Sequence, residues 1–202
     1  MTSSTAVGVL AIAAPAAVAL FFIFDEATRD AGQRQSVSRV AFEEPNSDQL
    51  KVPALVGSSA VANADGLIVG RVQVVDGDTI DVGGARIRLH GIDAPEKGQN
   101  CRKNGQLYSC GQKAASFLRQ QTANFEVVCY PLKLDRYGRI VARCAIGEAD
   151  VGATMVANGW ALAYRKYDLA YVPLEDQAKQ ARRGIWAGQF VRPHDWRAGE
   201  RL

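Results

Sequence analysis

Arg71 to Glu96 reads R-V-Q-V-V-D-G-D-T-I-D-V-G-G-A-R-I-R-L-H-G-I-D-A-P-E, and the rest of the chain is understood from this stretch. Apolar and polar residues alternate in two runs, Val72 to Val82 and Arg86 to Ile92, joined by Gly83-Gly84. Period-two alternation about a Gly-Gly pair predicts a β-hairpin. The hairpin carries four carboxylates, Asp76, Asp78, Asp93 and Glu96, and Arg88 lies between the two acid pairs. Carboxylate oxygens suit a hard cation, and an arginine offers a planar, permanently charged fork for phosphate oxygens. The plainer alternative is a structural ion-pair network on strands.

Downstream, the pattern predicts strands at about 67–75, 78–82, 86–92, 125–130 and 139–146, and helices at about 111–123, 150–158 and 173–184. Ala114, Phe117, Leu118 and Gln121 recur at helical spacing in the first helix. The second carries Val151, Met155 and Val156 and stops at Gly159, a C-cap residue. The third has Glu175 and Asp176 in its first turn and Lys179, Arg182 and Arg183 near its end, a polarity that complements the helix dipole. Early strands followed by helices predict a small α+β domain on a Greek-key or open barrel.

The 202 residues are 48% apolar and 22% charged, ordinary for a globular protein. The net charge of +3 is unevenly placed: 20 Lys/Arg face 14 Asp/Glu from Gly66 onward, against 4 and 7 before it. A basic C-terminal two-thirds suits a polyanionic partner, and equally a mildly basic solvated surface. Ala6 to Phe24 is a continuous apolar run interrupted only by Gly8 and Pro15. Its length suits a minimal membrane span, which needs about 17–25 residues. No Lys or Arg precedes it and no small-x-small site directly follows Phe24, which favours an uncleaved anchor over a cleaved secretory signal. Residues 1–24 are thus expected to be a transmembrane anchor or signal, and 25–65 a linker with a short strand allowed at Leu50 to Val56. The globular domain is expected over 66–187. The extension 188–202, with Phe190, Pro193 and Trp196 following Trp186, is expected to pack on the domain.

A second cluster, L-D-R-Y-G-R at Leu134 to Arg139, joins two strand-like runs and predicts a hairpin loop with Gly138 in the turn. Arg136 and Arg139 are basic there, and Tyr137 can stack on a base. Alone it reads as a solvated turn. In order, D-G-D-T, R-L-H-G-I-D-A-P-E and D-R-Y-G-R resemble the thermonuclease family, the staphylococcal nuclease-like proteins. The resemblance covers about Leu67 to Trp186 and implies a five-stranded oligonucleotide-binding-type barrel, an α+β fold with about three helices. It implies Ca2+ held by Asp78, Asp93 and the backbone carbonyl of Ala94, with Asp76 just behind. Arg88 and Arg139 match the arginines that grip the scissile phosphate, and Glu96 the carboxylate that orients the attacking water. Tyr137 and Tyr164 match aromatics of the nucleotide pocket, and Arg136 stands beside them as a substrate-binding residue. Ala94 departs from members that have Thr, losing a hydroxyl and keeping the carbonyl. The implied function is calcium-dependent hydrolysis of DNA and RNA, leaving 3′-phosphates and favouring single-stranded or frayed regions, by a monomer. The alternative is a non-catalytic nucleic-acid-binding module on the same fold.

Cys101, Cys110, Cys129 and Cys144 contain no C-x-x-C spacing, which argues against zinc. Cys129 and Cys144 flank the Asp135–Arg139 turn almost symmetrically, so they should lie opposite each other, about 4.5–5.5 Å apart at Cα, within disulfide reach. Cys101 and Cys110 bracket one loop beside the acids. Both bridges are expected, with reduced buried thiols as the alternative for the strand pair. Disulfides imply an oxidising compartment: the periplasmic face of a bacterial inner membrane, or outside the cell. Arg29, Arg34 and Arg39 after the apolar run pull the opposite way. His90 and His194 have no partner pattern and read as structural.

Overall fold

The structure, a computed structural model, describes residues 66–202; the apolar run, the linker and the expected strand at 50–56 lie outside the described residues. In chain order the elements are β1 (Ile68–Val74), β2 (Thr79–Val82), β3 (Ala85–Leu89), β4 (Ile92–Asp93), β5 (Cys101–Lys103), β6 (Gln106–Tyr108), α1 (Cys110–Thr122), β7 (Glu126–Leu134), β8 (Ile140–Ile146), β9 (Ala149–Asp150), α2 (Val151–Ala157), β10 (Leu162–Ala163), α3 (Val172–Gln180) and α4 (Pro193–Arg197), with a 3₁₀ turn at Gly184–Ala187 before α4. Among these no helix is long and apolar enough to cross a membrane.

The alternating sequence closes into a barrel. β1, β2 and β3 form an antiparallel meander. Gly83 and Gly84, both at positive φ (57° and 87°), make the β2–β3 turn, a backbone that a Cβ resists. β7 pairs antiparallel with β1, and β8 with β7. β3 and β8 then pair in parallel, Ile87 with Ile140 and Arg88 with Val141, which leaves the five strands without a free edge. Ile80, Ile87, Val127, Cys129, Ala142 and Cys144 are buried in one core with Leu118 of α1 and Met155 of α2. α2 starts where Asp150 Oδ1 accepts from the Ala153 N–H at 2.8 Å, an N-cap. Asp150 Oδ2 accepts from the buried Tyr171 hydroxyl at 2.7 Å, which ties the start of α3 to α2.

Three features differ from the sequence expectation. The third helix ends at Gln180 rather than 184, because Arg182 and Gly184 take positive φ and turn the chain away. The segment between Lys97 and Gly111 contains a short hairpin, β5–β6, whose turn uses Asn104 and Gly105 at positive φ. β7 runs on to Leu134 with one extra residue, Leu132, since Pro131 faces Ala142 while Lys133 faces Val141. A proline beside such a bulge is where a strand tolerates its missing N–H. Cys129 and Cys144 are directly paired in the ladder and bridged, Cα atoms 4.0 Å apart. Cys101 and Cys110 are bridged as well, 5.5 Å apart. That second disulfide lies in a small separate core with Leu162 and Ile185, against which Trp186 and Phe190 pack. The aromatic tail therefore lies on the domain, as expected.

Candidate active site

Asp78 enters the barrel wall at the β1–β2 turn, where its backbone N–H donates to Asp76 Oδ1 at 3.0 Å. Asp93 ends β4. Both carboxylates are buried, 3% and 5% exposed. Arg88, on the β3 strand between them, joins the two. Its Nη1 donates to Asp78 Oδ1, and its Nη2 donates to Asp93 Oδ1 (3.2 Å) and to the Ile92 carbonyl (3.3 Å). The second Asp78 oxygen accepts from the Ala94 N–H at 2.9 Å. Burial pushes the Asp78 carboxyl up to about 7; Arg88 opposes this, and the like charges of Asp76 and Asp93 add to it. Burial also works against the Arg88 charge, but Asp78, Asp93 and Asp76 hold its pKa above the ordinary arginine value.

Glu96 follows the buried Pro95 and is half-buried at the edge of this cluster. Its loop lies directly on the start of α1. A Cβ built on Gly111 would fall 1.8 Å from the Glu96 carbonyl oxygen, so only a glycine admits this approach. The Glu96 N–H donates to the side-chain oxygen of Gln99 at 3.2 Å. Gln99 is fully buried, and its Nε2 donates to the Val191 carbonyl at 2.7 Å.

The 134–139 turn is built by Asp135, which the sequence reading left without a role. Asp135 Oδ1 accepts from the Tyr137 and Arg139 backbone N–H groups, both at 2.9 Å, and Oδ2 accepts from Arg139 Nε at 2.7 Å. Tyr137 is 68% exposed, with the Arg136 and Arg139 guanidiniums 4.8 and 5.5 Å from its ring centre. Arg88 pairs with Val141; Arg139 stands two residues before Val141, in the turn that precedes β8, where Asp135 holds it. Tyr164, whose N–H donates to the Gly91 carbonyl at 2.8 Å, meets Tyr167 edge-on at 4.8 Å. Lys133 lies 4.8 Å from the Tyr167 ring. His90 faces Asp168 at 3.4 Å; burial pulls its pKa down, with Arg143 opposing the Asp168 charge, which suits a structural histidine.

Arg197, like Gln99, has no counterpart in the sequence expectation. Arg197, the last residue of α4, donates from Nη1 to Asp93 Oδ1 (3.0 Å) and to Glu96 Oε1 (2.7 Å), and from Nη2 to Asp93 Oδ2 (3.1 Å). Burial works against its charge, yet the hydrogen bonds to Asp93 and Glu96 raise its pKa above the ordinary arginine value. No local sequence pattern announces it, since it lies about a hundred residues from its partners. The four acids face two guanidiniums in this cluster. Carboxylate oxygens are donors of the right kind for a hard divalent cation. Among the described residues no group of three His, Cys, Asp or Glu is placed to hold a metal ion, and the oxygens of Asp78 and Asp93 accept from Arg88, Arg197 and the Ala94 N–H.

A family model described as staphylococcal nuclease homologue matches residues 86–188. A succinoglycan biosynthesis protein, ExoI, of Rhizobium meliloti is 35% identical over 126 residues, 60% of this chain and 66% of that protein. An Escherichia coli protein named an uncharacterized endonuclease is 35% identical over 139 residues, 64% of this chain and 85% of that one. A probable endonuclease, LCL3, of Candida albicans is 36% identical over 128 residues, 54% of this chain and 53% of that one. The chain thus spans only about half to two-thirds of the first and third of these relatives.

Proposed function

Since the chain belongs to the staphylococcal nuclease homologue family, we propose that it is a nuclease that hydrolyses phosphodiester bonds in DNA or RNA. The observation that carries this reading is the buried Asp78–Arg88–Asp93 cluster with Glu96 at its edge. Two relatives carry the name endonuclease.

Arg88 commits three of its five N–H groups to Asp78, Asp93 and Ile92. Its Nε–H and one Nη1–H have no protein acceptor among the described residues and are open to a phosphate. Arg139, at the turn before β8, supplies a second fork in this reading. Phosphodiester hydrolysis builds charge on the equatorial oxygens, and two fixed guanidiniums stabilise it without reorganising. Glu96 accepts a proton from the attacking water. The water oxygen bonds to phosphorus, the bond to the 5′ oxygen breaks, and that oxygen takes up a proton from solvent as it leaves, so the product carries a 3′-phosphate and a 5′-hydroxyl. Ca2+, held by Asp78, Asp93 and the Ala94 carbonyl with Asp76 behind them, would add Lewis-acid charge at the phosphate. Tyr137 and Tyr164 receive unstacked bases, with Arg136 at the backbone, so single-stranded or frayed substrate is preferred. Two disulfides support an exported domain, periplasmic or secreted. Within this proposal residues 1–24 are the membrane anchor or signal, and the chain acts as a monomer.

The test is turnover of a labelled single-stranded oligonucleotide by the full chain, with calcium and with chelator, beside Arg88→Ala and Glu96→Gln. Calcium-dependent cleavage lost in both variants is expected. Tight binding without turnover by the unsubstituted chain would instead make it a binding module.

A further inference from the structure

The C-terminal extension delivers a guanidinium to the edge of the acid cluster and is itself firmly held. Pro193 opens α4, and Arg197 closes it. Arg102 and Gln189 exchange two backbone hydrogen bonds, each 2.8 Å. A Cβ on Gly188 would fall 2.1 Å from the Arg102 carbonyl oxygen, so the extension and β5 are in the closest contact a backbone allows. Trp186 and Phe190 stack edge-on at 4.9 Å beside the Cys101–Cys110 bridge. The Arg201 guanidinium lies 4.3 Å from the Trp196 ring centre.

Glu96 is thereby gripped at both ends by one segment. Its N–H is held by Gln99, whose other end is fixed to Val191. Its carboxylate is held by Arg197, which also takes both oxygens of Asp93. A half-buried glutamate on a loop otherwise samples several rotamers. A general base must lie within hydrogen-bond reach of the proton it takes. We propose that Arg197 is a positioning residue of this active site: its fork fixes the Glu96 carboxylate beside Asp93, and the C-terminal extension is a working part of the site. This rests on the nuclease reading of the same cluster.

The contact has a second consequence. Arg197 occupies oxygens of Asp93 and sets a positive charge beside any cation bound there. It holds geometry at the expense of cation affinity. Removing it moves two observables in opposite directions, which a loss of folding cannot do.

The experiment compares the unsubstituted full chain with Arg197→Ala, Arg197→Lys, Glu96→Gln and the Glu96→Gln/Arg197→Ala pair. It reads kcat and KM on a labelled single-stranded oligonucleotide, the calcium Kd by calorimetry without substrate, and Tm. For Arg197→Ala, kcat is expected to fall about a hundredfold with KM little changed, the scale of loss when a catalytic group is misplaced by an ångström. Its calcium binding is expected to tighten about tenfold once the competing charge is gone. Arg197→Lys, a point charge without the fork, should recover part of kcat. In the Glu96→Gln background, Arg197→Ala should cost nothing further. A cleaving wild-type chain whose kcat survives Arg197→Ala overturns the proposal alone, as does calcium affinity that weakens together with Tm. A wild-type chain that binds calcium and cleaves nothing overturns the nuclease reading and this proposal with it.

Discussion

Arg88 and Glu96 serve one site but stand in different surroundings, and their substitutions should separate accordingly. Arg88 is the counter-charge of two buried carboxylates. If the proposed nuclease mechanism holds, replacing it with Ala removes a transition-state donor, about 2.7–4 kcal/mol in turnover. It also strands Asp78, while Asp93 keeps the Arg197 fork, a loss of about 3–5 kcal/mol of stability by analogy with broken buried pairs. Activity and Tm should fall together, read by turnover and calorimetry. Glu96 is half-buried, and its partner Arg197 keeps its hold on Asp93. Glu96→Gln should abolish most turnover while Tm moves little. Gly111→Ala is the informative third case. It touches no reacting atom, yet its Cβ collides with the Glu96 carbonyl, so kcat should fall while oligonucleotide affinity holds.

Among the elements, the turn at Asp135–Arg139 depends on one carboxylate. Asp135→Ala removes the acceptor of two backbone N–H groups and of Arg139 Nε. A loss of about 1–2 kcal/mol is expected, with KM raised because Tyr137 and Arg139 lose their shared frame. Burial raises the Asp135 pKa, but the hydrogen bonds from Arg139 and the Tyr137 N–H outweigh it, so the folded value lies below the ordinary 3.8. The unfolded chain then takes up the proton first as pH falls. The contribution of Asp135 is therefore whole above 3.8 and is lost as pH drops through the lower folded value. Amide shifts of Tyr137 and Arg139, followed through an acid titration, would show that midpoint below 3.8.

The strands were legible because apolar residues alternate with polar ones on both sides of Gly83-Gly84, Ile80 and Val82 before it and Ala85, Ile87 and Leu89 after it, and because burial of one face gives that alternation its meaning. The acids and Arg88 were legible because they share that hairpin, where sequence neighbours are neighbours in space. Arg197 and Gln99 were not, since each acts across a long separation through side-chain packing that no local period encodes. The β5–β6 hairpin was missed because its strands are three residues each, too short for a period to show.

For the molecule as a whole, the two bridges divide the labour. Cys129–Cys144 crosses two strands inside the main core. By loop closure alone a bridge of this span is worth about 3 kcal/mol, and reduction should lower Tm by several degrees. Cys101–Cys110 holds the platform of Gln99 and the C-terminal extension. The Cys101→Ser/Cys110→Ser pair should therefore lose turnover out of proportion to its loss of Tm. Export into an oxidising compartment would then be a condition of activity as well as of durability.

The extra residue in β7 has a consequence best stated as parity. On the near side of Leu132 the odd positions, Val127 and Cys129, point inward. On the far side Lys133 is exposed and pairs with Val141, the ladder partner of Arg88. One inserted residue thus switches odd from inside to outside midway along a strand. Deleting Leu132 would restore a single parity without moving a pair: Lys133 would follow Pro131 directly and stay outward opposite Val141, and Cys129 would stay opposite Cys144. The deleted form should therefore keep Cys129 and Cys144 bridged and resistant to alkylation, and lose only the bend and twist that the extra residue gives β7.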